Sequence, residues 1–196
     1  IDSDVFNLFQ VVSNQKNELE KAFYEMPIHS DLLEYWKQNK ETEPIKKALR
    51  FLFLSNLITP TTGDINRRGM NQDKLMCLQK LDKTFDFIAT SNIRFFNEDY
   101  RLFIDRIMLR GEERPLQDIA TFFYCDPPYL NTSNNYSHSF TENDSIDLFN
   151  CLQETGCKWA MSEFDNPFIL NQAKERNLNV ITIGERQNLK NRRTEI

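Results

Sequence analysis

The sequence predicts an α/β protein whose first half is mostly helical. Three observations carry that expectation. Apolar residues fall at helical spacing through roughly the first 90 positions, while short apolar runs alternate with helix-length stretches afterwards. One of those runs breaks off into Asp-Pro-Pro-Tyr, "TFFYCDPPYLNTSNNYSHSF" at 121–140.

Each element follows from its pattern. In "DSDVFNLFQVVSNQKNELEKAF" the apolar positions 5, 6, 8, 9, 11 and 12, then 19, 22 and 23, have helical spacing, with Ser3 or Asp4 as the N-cap. Further helices are expected at 31–37 and 43–55. "LITPTTGDINRRGMNQ" (57–72) collects Pro, Gly, Thr, Asp and Asn, a signal for turns or a hairpin, and a helix follows at 73–89. Strands are expected at 92–97, 121–125, 158–162 and 179–184, separated by helices near 98–109, 142–155 and 166–176. Strands alternating with helices of this length point to a parallel sheet.

Composition bounds the function. With 196 residues the chain can bury one sizeable core, and 40% hydrophobic with 27% charged residues is ordinary globular usage. The net charge of −5 gives no global basic field for nucleic acid, so phosphate contacts would need local patches. Three basic clusters exist: Lys46, Lys47 and Arg50; Arg67 and Arg68; Arg186, Lys190, Arg192 and Arg193. A solvated face is the plain alternative for each. Cys77, Cys125, Cys151 and Cys157 form no Cys-x-x-Cys pair and only two His are present, so no metal site is expected. Unpatterned cysteines suggest reduced thiols and a cytoplasmic setting. No run approaches the roughly 18 apolar residues of a membrane span. The start on Ile1 and the stop at "NRRTEI" give the expectation of an internal piece of a longer protein.

The Asp-Pro-Pro-Tyr carries the chemistry. Proline fixes φ and has no N–H, so Pro127 and Pro128 stop the strand and stiffen the corner. A residue before proline is pushed to extended geometry, which constrains Asp126 and Pro127. A carboxylate, a carbonyl and an aromatic ring are thereby held in one arrangement suited to a planar –NH2. The exocyclic nitrogen of adenine is a poor nucleophile because its lone pair is delocalised. The Asp126 carboxylate and Pro127 carbonyl can accept its two N–H bonds and favour a pyramidal nitrogen. Tyr129 can stack on the base, worth about 1–3 kcal/mol. The alternative is a rigid surface turn. In open α/β sheets ligands sit beyond the carboxyl ends of strands, where Asp99 and Tyr100 also fall.

"FFYCDPPYLNTSNNYSHSFTENDSIDLF" resembles the catalytic region of the Dam-like, alpha-group adenine-specific DNA methyltransferases. "IDSDVFNLFQVV", "IRFFNEDYRLFIDRI", "KWAMSEFDNPF" and "GERQNLKNRRTEI" are similar to flanking segments of that family. The resemblance implies a Rossmann-like, S-adenosylmethionine-dependent methyltransferase sheet, incomplete here, with a mostly helical target-recognition insertion. It divides the chain into 1–14 (methyltransferase domain), 15–90 (DNA-binding insertion) and 91–196 (catalytic half). The implied reaction moves a methyl group from S-adenosylmethionine to adenine N6 in double-stranded DNA, on a base flipped out of the duplex. Alternatives are a cytosine N4 or RNA amino-methyltransferase, or a non-catalytic DNA-binding remnant. A cognate restriction endonuclease is a further implied partner, and no membrane is.

Carried over residue by residue, the resemblance makes Asp126, Pro127 and Tyr129 catalytic, and Pro128 a shaper of the loop. Asp99 would hold the cofactor adenine amino group with Tyr100 beside the ring, and Asp126 would also border the cofactor. A helix N-cap is the other role for Asp99. Tyr136 and Phe140 resemble aromatics that close over the flipped base, or serve as hydrophobic anchors. Arg67 and Arg68 are candidates for base or phosphate contacts, and Arg192 and Arg193 for phosphate. The chain departs from the family in lacking its Phe-x-Gly-x-Gly turn: the five glycines (63, 69, 111, 156 and 184) show no such arrangement. The expected ribose-binding acid is missing too, so this piece alone is expected to have little activity.

Overall fold

The computed structural model describes residues 2–59, 61–66, 70–108, 120–131, 140–187 and 192–196. The chain divides into two compact units, Ile1–Glu98 and Asp99–Ile196. No described helix is long and apolar enough to cross a membrane.

The first unit is built from α1 (Ser3–Asn14), α2 (Lys16–Glu25), α3 (Ser30–Gln38), α4 (Pro44–Asn56) and α5 (Met70–Thr90). The N-cap of α1 is Asp2, not Ser3 or Asp4: its carboxylate accepts the N–H groups of Asp4 and Val5. The apolar stripe lapses over Asn14-Gln15-Lys16-Asn17, and Gln15 leaves helical geometry at φ −140° and ψ 37°, splitting the run into two helices. Gln15 still closes α1 by donating to the Val11 carbonyl and opens α2 by accepting from Leu19.

Helix α4 is central. Glu43 caps it by accepting the N–H groups of Ile45 and Lys46, and Pro44 sits in the first turn, where a missing N–H costs nothing. Its Ala48, Leu49, Leu52 and Phe53 pack with Val11, Val12, Leu19, Phe23, Leu33, Trp36 and Leu81. Phe53 is fully buried and meets Trp36 edge to face at 5.1 Å. Two of the three basic residues of this helix are used internally: Lys47 and Arg50 both pair with Asp4, and Arg50 Nε donates to the carbonyls of Trp36 and Asn39. Beyond α4 the expected turn is present. Ile58 and Ile65 form an antiparallel bridge, and Gly63, at φ +71°, donates its N–H to the Thr59 carbonyl.

The strand expected at 92–97 is absent; these residues are irregular. Phe95 stacks on Phe9 at 4.8 Å, so the run is tied by a side chain and has no strand ladder among the described residues.

The second unit contains α6 (Tyr100–Ile107), β1 (Phe122–Cys125), α7 (Glu142–Thr155), β2 (Lys158–Met161), α8 (Pro167–Glu175), β3 (Gly184–Gln187) and β4 (Arg192–Glu195). Strands β1 and β2 pair in parallel, Phe122 opposite Lys158 through Cys125 opposite Met161, with α7 as the crossover. Thr141 and Asp144 form a capping box at the start of α7, and Gly156 ends it at φ 73°. Phe123, Leu148 and Leu152 form one apolar cluster, with Tyr100 and Ile104 of α6 against it. Leu130, Phe149 and Ile169 form another, and Trp159 and Met161 border both.

The last expected strand begins late. Residues 179–183 are irregular, and β3 pairs with β4 as an antiparallel hairpin. The sheets are thus one parallel pair and one hairpin, among the described residues. Val180, Ile181 and Ile183 are exposed, and the Ile183 N–H donates to the Glu195 carbonyl.

Truncating Phe53 to Ala is expected to destabilise the helical unit by about 3–5 kcal/mol, checked by urea unfolding.

Candidate active site

The site is built on the ends of the two parallel strands. The ladder runs one step past the named strands, because the Ser162 N–H donates to the Cys125 carbonyl at 3.0 Å. Ser162 therefore stands beside Asp126. There the ladder ends, since Pro127 and Pro128 have no N–H to continue it. Asp126 is exposed and both prolines are half-buried.

Alternation along β1 turns Phe123 and Cys125 toward the apolar cluster and leaves Phe122 and Tyr124 exposed on the other side. Tyr124 and Asp126 share that side. The Tyr124 hydroxyl donates to Ser162 Oγ at 3.2 Å, and Ser162 Oγ donates to Asp126 Oδ1 at 2.9 Å. The Asp126 carboxylate is thus oriented by a buried hydroxyl while it faces solvent.

Tyr129 is fixed at both ends. Its hydroxyl donates to Glu195 Oε1 at 3.0 Å, and its ring meets Phe164 edge to face at 4.6 Å and 85°. Burial is the main cause that pushes its phenol up to about 12; Ser162 opposes the shift, and the carboxylates of Glu195 and Asp126 add to it.

Glu163 holds the loop from beneath. Its carboxylate is only 1% exposed, and its two oxygens accept from Leu130 N–H (3.2 Å) and Phe164 N–H (2.8 Å). Its backbone pairs both ways with Ile196, at 3.1 and 2.9 Å. Leu130 directly follows Tyr129, so Glu163 fastens the Asp-Pro-Pro-Tyr loop to the end of β2.

Asp99 is the N-cap of α6, accepting the Arg101 N–H at 2.9 Å and pairing with the Arg101 guanidinium at 3.3 Å. That guanidinium lies over the Tyr100 ring at 4.5 Å and also pairs with Asp147 at 2.7 Å and Asp144 at 3.6 Å. Tyr100 packs against the first apolar cluster and its hydroxyl donates to the Asp144 carbonyl at 3.4 Å. Burial raises its phenol to about 12, with Arg101 opposing.

Phe140 is packed beside both apolar clusters. Arg67, Arg68 and Tyr136 lie outside the described residues, as do the side chains of Arg192 and Arg193 at the start of β4. A groove of about 790 Å3 is lined by Phe122 and Tyr124 of β1, by Trp159 and Ser162 and by Val180, Ile181 and Ile183, and Asp126 is not among its lining residues.

Tyr124, Ser162, Glu163 and Glu195 were not anticipated from the sequence. A signal for Ser162 was present: "FFYCD" and "KWAMS" are apolar runs of equal length ending on a polar residue. Parallel pairing places those two endings side by side.

The βαβ unit thus ends its first strand on an exposed carboxylate, two prolines and a fixed aromatic ring. A family model for D12 class N6 adenine-specific DNA methyltransferases matches residues 1–189, and the chain belongs to that family. No curated protein matches the chain. The reaction is transfer of a methyl group from S-adenosylmethionine to N6 of adenine in DNA.

Asp99 has a side chain 42% exposed, both of its oxygens are engaged by Arg101, and Tyr100 follows it at the start of α6. The described glycines do not form a cradle for the methionine end: Gly63 lies in a turn of the first unit, Gly156 caps α7 and Gly184 opens β3.

Two outcomes check this geometry. Glu163→Gln places an NH2 donor against one of two buried N–H groups and is expected to cost about 1–3 kcal/mol in thermal unfolding. Tyr129 and Tyr100 are expected to ionise late, at about 12, and Tyr129→Phe to remove one late step from the phenolate absorbance titration. Because the folded pKa of Tyr129 is raised, its contribution to stability is complete below pH 10 and is lost as pH rises toward 12.

Proposed function

We propose that Asp126, the Pro127 carbonyl and Tyr129 form the adenine-accepting half of the active site. The observation that carries this is an exposed carboxylate at the end of β1, held through Oδ1 by buried Ser162, directly before two prolines that end the ladder. A carboxylate offers about four acceptor positions, so one bond to Ser162 leaves capacity for an N–H of the base. The Pro127 carbonyl takes the second N–H, and the nitrogen lone pair is then directed away from both. When bound, S-adenosylmethionine supplies the electrophilic methyl group, which leaves its sulfur for that lone pair. The proton shed from N6 afterwards is within reach of the Asp126 carboxylate.

Tyr129 offers a ring already oriented by Glu195 and Phe164, so stacking the base costs little further ordering. The amino group of a paired adenine is engaged and stacked, so the site acts on a base flipped from the duplex. Pro128 shapes the loop, and Tyr136 and Phe140 border the base. Asp99 and Tyr100 contact the adenine end of the cofactor.

In this Dam-like reading the catalytic half is part of a larger Rossmann-like sheet, and 15–90 is the target-recognition insertion. Arg67 and Arg68 contact bases or phosphate of the DNA, and Arg192 and Arg193 contact phosphate. The enzyme works in the cytoplasm.

Asp126→Ala is expected to lower methyl transfer from labelled S-adenosylmethionine to unmethylated genomic DNA at least about 100-fold, a loss typical of a preorganised polar group. DNA binding by the variant should persist. Full activity in that variant overturns the assignment.

A further inference from the structure

We propose that Ser162 is a positioning residue for Asp126, and that Tyr124 fixes the direction of the Ser162 hydroxyl proton. The proposal rests on the assignment of Asp126 as amino-group acceptor and deepens it.

Ser162 is 2% exposed, and a buried hydroxyl needs a partner. A serine hydroxyl has one proton and two acceptor positions. The Tyr124 hydroxyl donates into one of those positions at 3.2 Å, Tyr129 also lies against this hydroxyl, and the shorter 2.9 Å bond carries the serine proton to Asp126 Oδ1. The chain runs one way, from Tyr124 through Ser162 to Asp126. A donor aimed at a carboxylate makes a charge-assisted bond that holds the acid as an acceptor. Asp126 is exposed and also lies against the Tyr129 hydroxyl, and the Ser162 bond narrows the rotamers left to its carboxylate.

The backbone prepares this contact. The Ser162 N–H is already bound to the Cys125 carbonyl, so the distance between the Ser162 and Asp126 backbones is set by the ladder. The residue therefore acts through Asp126 and is not itself in contact with the base. Placement matters because a misplacement of about 1 Å in a reacting group costs on the order of 100-fold in rate.

The test uses the full chain, labelled S-adenosylmethionine and unmethylated genomic DNA. Ser162→Ala is expected to lower kcat about 10- to 100-fold with KM for cofactor and DNA unchanged. Ser162→Thr, which keeps the hydroxyl, should recover most of the loss. Tyr124→Phe changes an exposed side chain and should fold normally. It is expected to lower kcat about 2- to 5-fold, the worth of one neutral hydrogen bond, and to have no further effect on top of Ser162→Ala. Wild-type kcat in Ser162→Ala, with Asp126→Ala inactive, overturns the positioning role and leaves the Asp126 assignment standing. A Ser162→Ala loss confined to melting temperature and KM, with Tyr124→Phe silent or additive, also overturns it. Full activity in Asp126→Ala overturns both.

Discussion

The bond from the Ser162 N–H to the Cys125 carbonyl is the constraint on which the site depends. Two four-residue strands would otherwise end level with each other and leave their following residues to wander. One more rung fixes the next two residues, and those are Asp126 and Ser162. Proline then forbids a further rung. The backbone is extended up to the acceptor carboxylate and no farther, so the loop must leave the sheet at Pro127.

The loop needs a second attachment, and a buried acid supplies it. A carboxylate taken out of water is costly unless its lone pairs are used. Glu163 accepts two backbone N–H groups, and one belongs to Leu130, at the far end of Asp-Pro-Pro-Tyr. The four residues are therefore held at both ends by Ser162 and Glu163, the two positions directly after β2. Glu195 then catches the Tyr129 hydroxyl from β4. Three parts of the chain, far apart in sequence, agree on one loop conformation.

Much of this was legible in the sequence where the signal was local. Periodicity and caps located α3, α4, α7 and α8 closely, and the apolar runs ending in Asp126 and Ser162 gave the two parallel strands. Elements that depend on neighbours were not legible. The run at 92–97 has strand composition but stacks Phe95 on Phe9, and 179–183 stays irregular with its side chains exposed. Strand propensity describes fitness for a paired, half-buried surface, and neither run has one here. For the candidate site, Asp126, Pro127 and Tyr129 fall within one four-residue motif that local reading picks out. Ser162, Glu163 and Glu195 act across 36, 33 and 66 positions, which no local pattern carries. Asp99 shows the opposite limit: its capping role was legible, but its pairing with Arg101, and through it with α7, was not.

The two prolines have a consequence for the company the protein keeps. β1 is four residues long and shows Phe122 and Tyr124 to solvent. An apolar strand end with unpaired N–H groups invites a strand from another chain. Pro127 and Pro128 offer none, so the segment that follows β1 is one that a foreign strand cannot copy.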